Sequence, residues 1–330
     1  MVISPPFWSL SGIKAFLFDW DGVVAETHLD FSPLRNRYYS GRRAMLLEEA
    51  HTLSESERSA LMRDLYALEM AGADKATPVA GIFEVFHHLE ESGIPWGIVS
   101  RNCFDSIELA AEKIGVILPP YVGSRDDHFV KPDPRALWDA ANALDCPPSE
   151  CAFVGDFIYD MVGARRAGMR GVLVQRYEPE WSDWYDVAFP TVMDLFASLR
   201  NPKGMIPWEY RDLVTTRGEE WLERAFRLSA CLPSGGRACS PEWLCALASL
   251  GAGCFVVHEE ATLTPQLCRL YPTWNHVHMG EPLAFVIRDF LKTRYPLVRV
   301  LEEHVAADAQ TFPENPQALL PAVENILHAH

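Results

Sequence analysis

The sequence has no long apolar run, no closely paired cysteines and no excess of positive charge. No window of its 330 residues approaches the roughly 18 uncharged apolar residues that a membrane-spanning helix needs. Its 29 Lys and Arg are outnumbered by 45 Asp and Glu, and the formal net charge of −16 repels nucleic-acid phosphates and anionic lipids. We therefore predict that the chain binds neither nucleic acid nor a membrane.

Cysteine spacing and overall composition favour an ordinary globular protein in a reducing compartment. The eight cysteines, at positions 103, 146, 151, 231, 239, 245, 254 and 268, are scattered and form no C-x-x-C pair. The stretch from Met1 to Leu10 has no basic region of the kind that starts an export signal. With 48% hydrophobic and 22% charged residues, the chain can bury a sizeable core. We expect a cytoplasmic protein and leave a homo-oligomer open.

The first 200 residues alternate short apolar runs with amphipathic stretches, which favours a doubly wound parallel sheet between helices. The predicted strands are Lys14 to Phe18, Pro95 to Val99, Ala152 to Val154 and Gly171 to Gln175. The predicted helices are Gly81 to Glu91, Ile107 to Ile114, Pro134 to Leu144 and Tyr159 to Ala167. The predicted fold class is therefore α/β.

Two further regions depart from this alternation. Residues 27–77 carry two helical patterns, Leu34 to Ala50 and Ser54 to Ala71, and the second opens with a capping-box signature, Ser54 with Glu57. We predict that 27–77 is a small helical cap inserted into a core of residues 1–26 and 78–202. A Pro- and Gly-containing linker near Leu199 to Pro207 then leads to an accessory α/β module, residues 203–330.

The accessory module is predicted from weaker patterns. Its helical patterns lie near Gly218 to Ala230, Pro241 to Leu250, Glu281 to Thr293 and Pro316 to His328. Its candidate strands are Cys254 to His258, Asn275 to Met279 and Leu297 to Leu301. His276 and His278 would share one face of such a strand, either as a metal pair or as ordinary strand-end histidines.

Polar side chains follow the predicted strands of the core at the point where each strand ends. Asp19 and Asp21 come directly after the first strand, in Phe18-Asp19-Trp20-Asp21-Gly22, where Gly22 permits the chain to turn. Ser100, Lys131 and the pair Asp156/Asp160 follow in order. Because the carboxyl ends of parallel strands meet at one edge of a sheet, we expect these side chains to converge there.

These residues resemble, in order and spacing, the four motifs of the haloacid dehalogenase-like hydrolase superfamily, and the likeness covers about residues 12–200. The short cap resembles that of the phosphoglycolate-phosphatase-like branch. The resemblance implies a magnesium-dependent phosphatase that acts on a small phosphorylated metabolite through an aspartyl-phosphate. It also implies that Asp19, Asp21 (through its carbonyl) and Asp156 hold Mg²⁺, with Asp160 beside them orienting metal waters or Lys131.

Elementary chemistry supports these roles. A carboxylate nucleophile, Asp19, divides a very slow hydrolysis into two easier displacements. Asp21 is placed to act as general acid and then as general base. The positive charge of Lys131 offsets the repulsion between the anionic nucleophile and the phosphate. Ser100, Arg101 and Asn102 are the predicted substrate contacts, at the start of a helix that favours an anion.

Alternatives stay open at this stage. Taken singly, Lys131 could be a solvated lysine, and Ser100, Arg101 and Asn102 could serve only the start of a helix. The cap arginines Arg35, Arg37, Arg42 and Arg43 form either a solvated face or a contact for a second anionic group. A phosphomutase would use the same pair of carboxylates as a phosphatase. A further alternative is a binding protein in which residues 203–330 recognise the ligand and the first domain is auxiliary.

Overall fold

A computed structural model describes residues 5–232, 240–258, 260–274, 276–292, 294–302 and 309–329. The chain divides into two compact units, one formed by Ile13–Asn201 and the other by the described residues of Met1–Gly12 and Pro202–His330. Residues 5–12, which the sequence assigns to the core, group with the second unit, where Trp8 and Met205 pair in an antiparallel bridge. Across the described residues, no helix combines the length and apolarity that crossing a bilayer requires.

The first unit contains the parallel sheet that the sequence predicts. In chain order, its strands are β1 (Ala15–Phe18), β2 (Ala25–Glu26), β3 (Thr77–Pro78), β4 (Trp96–Val99), β5 (Val122–Gly123), β6 (Cys151–Gly155), β7 (Arg170–Val174) and β8 (Val187–Phe189). Six of them form one parallel sheet in the order β5-β4-β1-β6-β7-β8, and β2 pairs with β3 in a short antiparallel ribbon. The predicted doubly wound α/β fold is confirmed.

Strand β1 is buried along its whole length because side chains cover it on both faces. Its four residues are apolar and fully buried, the pattern of a central parallel strand. Leu17 belongs to a core cluster with Phe153 of β6 and Met161. On the other face, the ring of Phe18 meets Phe86 edge-on, with 5.3 Å between centroids. The residue that follows β1 therefore lies in the middle of the carboxyl edge of the sheet.

Seven helices complete this unit. They are α1 (Ser32–Tyr39), α2 (Glu55–Ala73), α3 (Ile82–Glu91), α4 (Phe104–Ile114), α5 (Pro134–Ala143), α6 (Ile158–Ala167) and α7 (Val192–Arg200). The capping box at Ser54 is confirmed, since Ser54 and Glu57 bond to each other's backbone N–H. The predicted helix from Leu34 to Ala50 was wrong in length: α1 ends at Tyr39 because Ser40 and Gly41 take left-handed conformations, with φ of 53° and 77°.

The second unit holds a smaller parallel sheet, in the order β11-β10-β9. Its strands are β9 (Ser229–Leu232), β10 (Cys254–Val257) and β11 (Arg299–Glu302). Its helices are α8 (Arg211–Arg217), α9 (Glu219–Ala225), α10 (Pro241–Ser249), α11 (Pro265–Leu270), α12 (Leu283–Leu291) and α13 (Leu319–Ala329). The sequence correctly predicts an α/β module here, and Trp243, Phe255 and Ile287 are fully buried in its core.

Two predictions within the second unit were wrong. The helical pattern from Gly218 to Ala230 ends early, at Ala225, because Ser229–Leu232 pairs with β10 as an edge strand. The candidate strand from Asn275 to Met279 is instead a single 3₁₀ turn at His276–His278, and Asn275 lies outside the described residues.

Candidate active site

Three adjacent strands bring the predicted polar residues to one edge of the sheet. Phe18, the last residue of β1, is in register with Ile98 of β4 and with Val154 of β6. Asp19 follows it and donates its backbone N–H to the carbonyl of Val154 at 2.9 Å. Ser100 directly follows β4 and Asp156 directly follows β6, so the three residues lie at neighbouring strand ends, as the sequence predicts.

Lys131 lies between two carboxylates beneath this edge. Its side chain is fully buried, and its ammonium nitrogen lies 2.7 Å from Asp19 Oδ1 and 2.7 Å from Asp160 Oδ1. Burial opposes the charged ammonium, but the two carboxylates outweigh this effect and raise the pKa of Lys131. Lys131 is therefore a charged, buried lysine in contact with Asp19 and not the solvated lysine that the sequence left open.

Asp160 is held by the backbone as well as by Lys131. It lies in the first turn of α6 and accepts the N–H of Phe157 on Oδ2 at 3.0 Å. Burial raises its pKa to about 7, the charge of Asp19 adds to the rise, and Lys131 opposes it. Because both oxygens of Asp160 already have protein donors, this carboxylate is placed to orient Lys131.

Asp21 faces a different set of donors. Thr27 donates its hydroxyl to Asp21 Oδ1, and Asn102 donates its amide to Asp21 Oδ2 at 2.6 Å. Burial raises the pKa of Asp21 to about 7; Thr27 and Asn102 oppose the rise, and Asp19 adds to it. A carboxyl group with such a pKa is partly protonated at neutral pH, which is the state that can donate a proton.

Gly22 allows the chain to pass close to Asp156. Its φ is +71°, and a Cβ at this position would lie 2.6 Å from Asp156 Oδ2. The turn after β1 therefore needs glycine for both its backbone conformation and its contact.

Asp156 has a partner that sequence reasoning missed. The Arg176 guanidinium contacts Asp156 Oδ2, with Nε and Nη2 both at 3.2 Å. Burial raises the pKa of Asp156 to about 6, Asp19 adds to the rise, and Arg176 opposes it. Arg176 comes two residues after β7, so the same strand-end rule that found Asp19 could have found it.

The acidic side chains fit a divalent cation. Asp19, Asp156 and Asp160 each offer a carboxylate oxygen, and these oxygens lie within 4.8 Å of one another. Mg²⁺ prefers such hard oxygen ligands and retains several waters. Among the described residues, Asp19 Oδ2 and Asp156 Oδ1 have no protein donor, whereas Asp160 is fully engaged. Asp19 and Asp156 are thus the side chains best placed to hold a metal ion, and the side chain of Asp21 points to Thr27 and Asn102 instead.

Comparison with known proteins agrees with this geometry. The family described as haloacid dehalogenase-like hydrolase matches residues 13–168. This part of the chain is a haloacid dehalogenase-like hydrolase domain. The resemblance predicted from the motifs is confirmed.

Individual relatives match about half of the chain. An N-acetylmuramic acid 6-phosphate phosphatase from Pseudomonas aeruginosa is 27% identical over 187 residues, covering 49% of this chain and 82% of the relative. A phosphoglycolate phosphatase from Xanthomonas campestris is 28% identical over 180 residues, covering 48% and 81%. The crystal structure of a hydrolase from Pseudomonas syringae is 19% identical, covers 57% of this chain and 99% of its own, and has a TM-score of 0.48.

In the hydrolase domain, Ser100 and Arg101 have clear local roles. Ser100 is buried, donates its N–H to the Gly123 carbonyl at 2.8 Å and accepts the N–H of Asn102 on its hydroxyl at 3.2 Å. Arg101 forms a two-pronged contact with Glu48 of the cap, at 2.7 and 3.0 Å, and lies 4.8 Å from the centroid of the Tyr159 ring. Arg101 therefore joins the cap to the core.

A second ion pair connects the cap helix α2 to the core. Glu69 and Arg125 pair with their side chains 2% and 6% exposed, and Glu69 also accepts the N–H of Cys103 at 3.0 Å, at the start of α4. Nothing in the local sequence pattern signals this pair, because its members lie 56 positions apart.

The cap and the sheet edge enclose a cavity of about 460 Å³. At the sheet edge, the cavity is lined by Asp19, Asp21, Ser100 and Asp156. The cap contributes apolar side chains, Phe31, Leu46 and Leu65 among them. A ligand bound here would meet the acidic residues and the cap together.

The candidate histidine pair of the second unit is not assembled into a metal site. His276 and His278 lie in a 3₁₀ turn, where residues two apart do not share a face, and His278 is 3.6 Å from Glu281. In the described part of the chain, the seven cysteines observed are all free thiols; Cys239 lies outside it.

Proposed function

We propose that the hydrolase domain is a phosphatase that removes the phosphoryl group from a small phosphorylated metabolite with Mg²⁺ as cofactor. The observation that carries the proposal is the buried contact of Lys131 with Asp19 and Asp160, in a cluster that also contains Asp156. A lysine held in this way beside a carboxylate that lines a cavity suits the attack of an anion on a phosphate ester.

In the first step, Asp19 attacks phosphorus while the bond from phosphorus to the leaving oxygen breaks. Asp21 donates a proton to that oxygen, and the product is an alcohol and an aspartyl-phosphate on Asp19. Lys131 offsets the negative charge of Asp19 and of the phosphoryl group. Mg²⁺ held by Asp19 and Asp156 would neutralise further charge on the phosphoryl oxygens.

In the second step, Asp21 takes a proton from water, and the resulting hydroxide attacks phosphorus. The bond to Asp19 breaks, which releases inorganic phosphate and restores the free carboxylate. Thr27 and Asn102 hold the two oxygens of Asp21 in place between these two proton transfers.

The test is hydrolysis of p-nitrophenyl phosphate and of an alkyl phosphate with Mg²⁺. Asp19→Asn should abolish both activities, because an amide cannot form the acyl-phosphate. Asp21→Asn should release one burst of p-nitrophenol and then turn over slowly, since an aryl leaving group needs little protonation but the second step lacks its base. The exposed Asp139→Asn is the matched control. Full activity of Asp19→Asn would exclude this mechanism.

A further inference from the structure

The four arginines of the cap have different surroundings. Arg37 pairs with Asp64 at 2.6 Å, and Arg42 pairs with Glu49 at 2.5 Å. Arg43 is exposed and does not line the cavity, whereas Arg35, on α1, is half-buried and lines it. Only Arg35 among these four therefore presents its charge to a ligand in the cavity.

Arg35 has weak contacts with the protein. Its Nε lies 3.4 Å from the Ala44 carbonyl, near the limit of a hydrogen bond, and its guanidinium carbon lies 5.9 Å from the centroid of the Phe31 ring. In the described residues no carboxylate forms an ion pair with it. The two Nη groups, which are the atoms that bind oxyanions in pairs, thus have no recorded protein acceptor there.

The other two arginines that line the cavity are already neutralised. Arg101 is held by Glu48, and Arg176 is held by Asp156. Arg35 and Tyr159 of α6 line the same cavity, and the charge of Arg35 opposes the rise in the pKa of that phenol caused by burial and by Glu48. A ligand that extends from the acidic residues at the sheet edge into the cap side of this cavity would therefore meet Arg35.

A half-buried guanidinium that forms no ion pair has lost part of its hydration, and an anionic group on a ligand would replace the lost contacts. We propose that Arg35 binds a second anionic group on the substrate, a carboxylate or a second phosphate, at the end of the leaving group remote from the reacting phosphate. The preferred substrate class is then a phosphate monoester with a second negative charge, whose connecting carbons contact Leu46 and Leu65. This inference rests on the proposed phosphatase function.

Matched substrates test this directly. Phosphate monoesters of ω-hydroxy acids, with one to four methylene groups, are compared with esters of the same length that carry a hydroxymethyl group or a second phosphate in place of the carboxylate. For the best chain length, kcat/KM should favour one of the two anionic leaving groups over the neutral one by at least about tenfold. Arg35→Met should lose that preference through KM and leave the neutral ester within about twofold. Arg35→Lys should retain part of the preference, because the lysine ammonium keeps the positive charge but cannot bind an oxyanion through two parallel N–H groups as a guanidinium does.

Arg43→Met is the control, since it removes the same charge from the same cap outside the cavity. An unchanged preference in Arg35→Met, or an equal loss with the neutral ester, would overturn the inference. Calorimetry with ω-carboxyalkyl phosphonates, which cannot be hydrolysed, separates the two proposals. If the protein hydrolyses no ester but binds these phosphonates selectively, and Arg35→Met abolishes that binding, the phosphatase proposal is contradicted and the anion contact is supported. If the protein neither hydrolyses the esters nor binds the phosphonates selectively, both proposals are overturned.

Discussion

The two compact units each contain a parallel sheet, but they use the carboxyl edge of that sheet differently. In the first unit, Asp19, Asp156 and Asp160 gather at the edge around the buried Lys131. In the second, β10 is fully buried and apolar, and the residues described beyond its end and that of β11 form no group of three metal-ligating side chains.

Both sheets pair their strands in parallel, so the difference comes from the residues that follow each strand. Parallel strands bring their ends together whatever the sequence is, and this creates an opportunity for a site. In the first unit, the chain places three carboxylates at this edge and buries the charged Lys131 beside two of them. Buried charge is costly unless it is paired, so such a cluster is unlike the apolar packing that stabilises either core.

The largest effect that separates the two edges is expected from Lys131→Met. It leaves the buried Asp160 and the partly buried Asp19 without their counter-charge, and we expect a loss of about 3–5 kcal/mol of unfolding free energy at neutral pH. Hydrolysis should fall by roughly a hundredfold to a thousandfold. Hydrogen exchange of the β1 amides in increasing urea measures the first quantity. Lys14→Met, at an exposed lysine, is the control; equal losses in both variants would contradict the buried cluster.

A smaller but more selective effect is expected for metal binding. Asp156→Asn should weaken Mg²⁺ binding roughly a hundredfold in calorimetry, because it removes one of two carboxylates whose oxygens face the same space. Glu302→Gln makes the same kind of change at the end of β11, and there the affinity should stay within about twofold. A matching loss in Glu302→Gln would mean that the second edge also holds the metal, and the contrast between the units would fail.

Two glycines with positive φ sharpen the comparison further. Gly22 (φ +71°) turns beside Asp156, and Gly251 (φ +99°) turns in the second unit with a hypothetical Cβ 3.0 Å from Ala225 Cβ. Changing either to Ala should destabilise its unit by about 1–2 kcal/mol. Only Gly22→Ala should also weaken Mg²⁺ binding, because its Cβ would displace the Asp156 carboxylate. Unaltered Mg²⁺ affinity in that variant would show that the turn does not position Asp156.

Sequence reasoning predicted which polar residues would meet at the carboxyl edge of the first sheet, because they follow a simple rule. Asp19, Ser100 and Asp156 lie at the ends of short apolar runs, and those runs are readable as buried strands. Thr27, Glu48 and Arg125 were missed, since their partners lie far away in the sequence or on another element and have no periodic signal.

Element boundaries were harder to predict where two patterns overlap. The strand Ser229–Leu232 is half-buried on alternate residues and directly follows an amphipathic helix, so the helical period masked it. In the cap, the apolar residues Leu46 and Leu47 continue a helical spacing, but the left-handed Ser40 and Gly41 had already ended the helix. Pairing with β10 decided the first case and local backbone conformation decided the second, and periodicity alone reports neither.

The smallest effect is expected from Asp133, which lies two residues from Lys131 but is partly exposed. Asp133 caps α5 and pairs with Arg135 at 2.6 Å, and hydrogen bonds from the Arg135 side chain hold the pKa of Asp133 at about 2. A carboxyl group whose pKa is lower in the folded protein than its unfolded value of 3.8 stabilises the fold fully at pH values above 3.8. This contribution disappears as the pH falls towards 2. Asp133→Asn keeps the cap and should cost only about 0.5 kcal/mol at pH 7 after solvent screening. Urea unfolding at pH 7 and at pH 3 measures it, and the difference from the unmodified protein should shrink at the lower pH. A loss as large as that of Lys131→Met would mean that burial is not the reason why changes at the Lys131 cluster are costly.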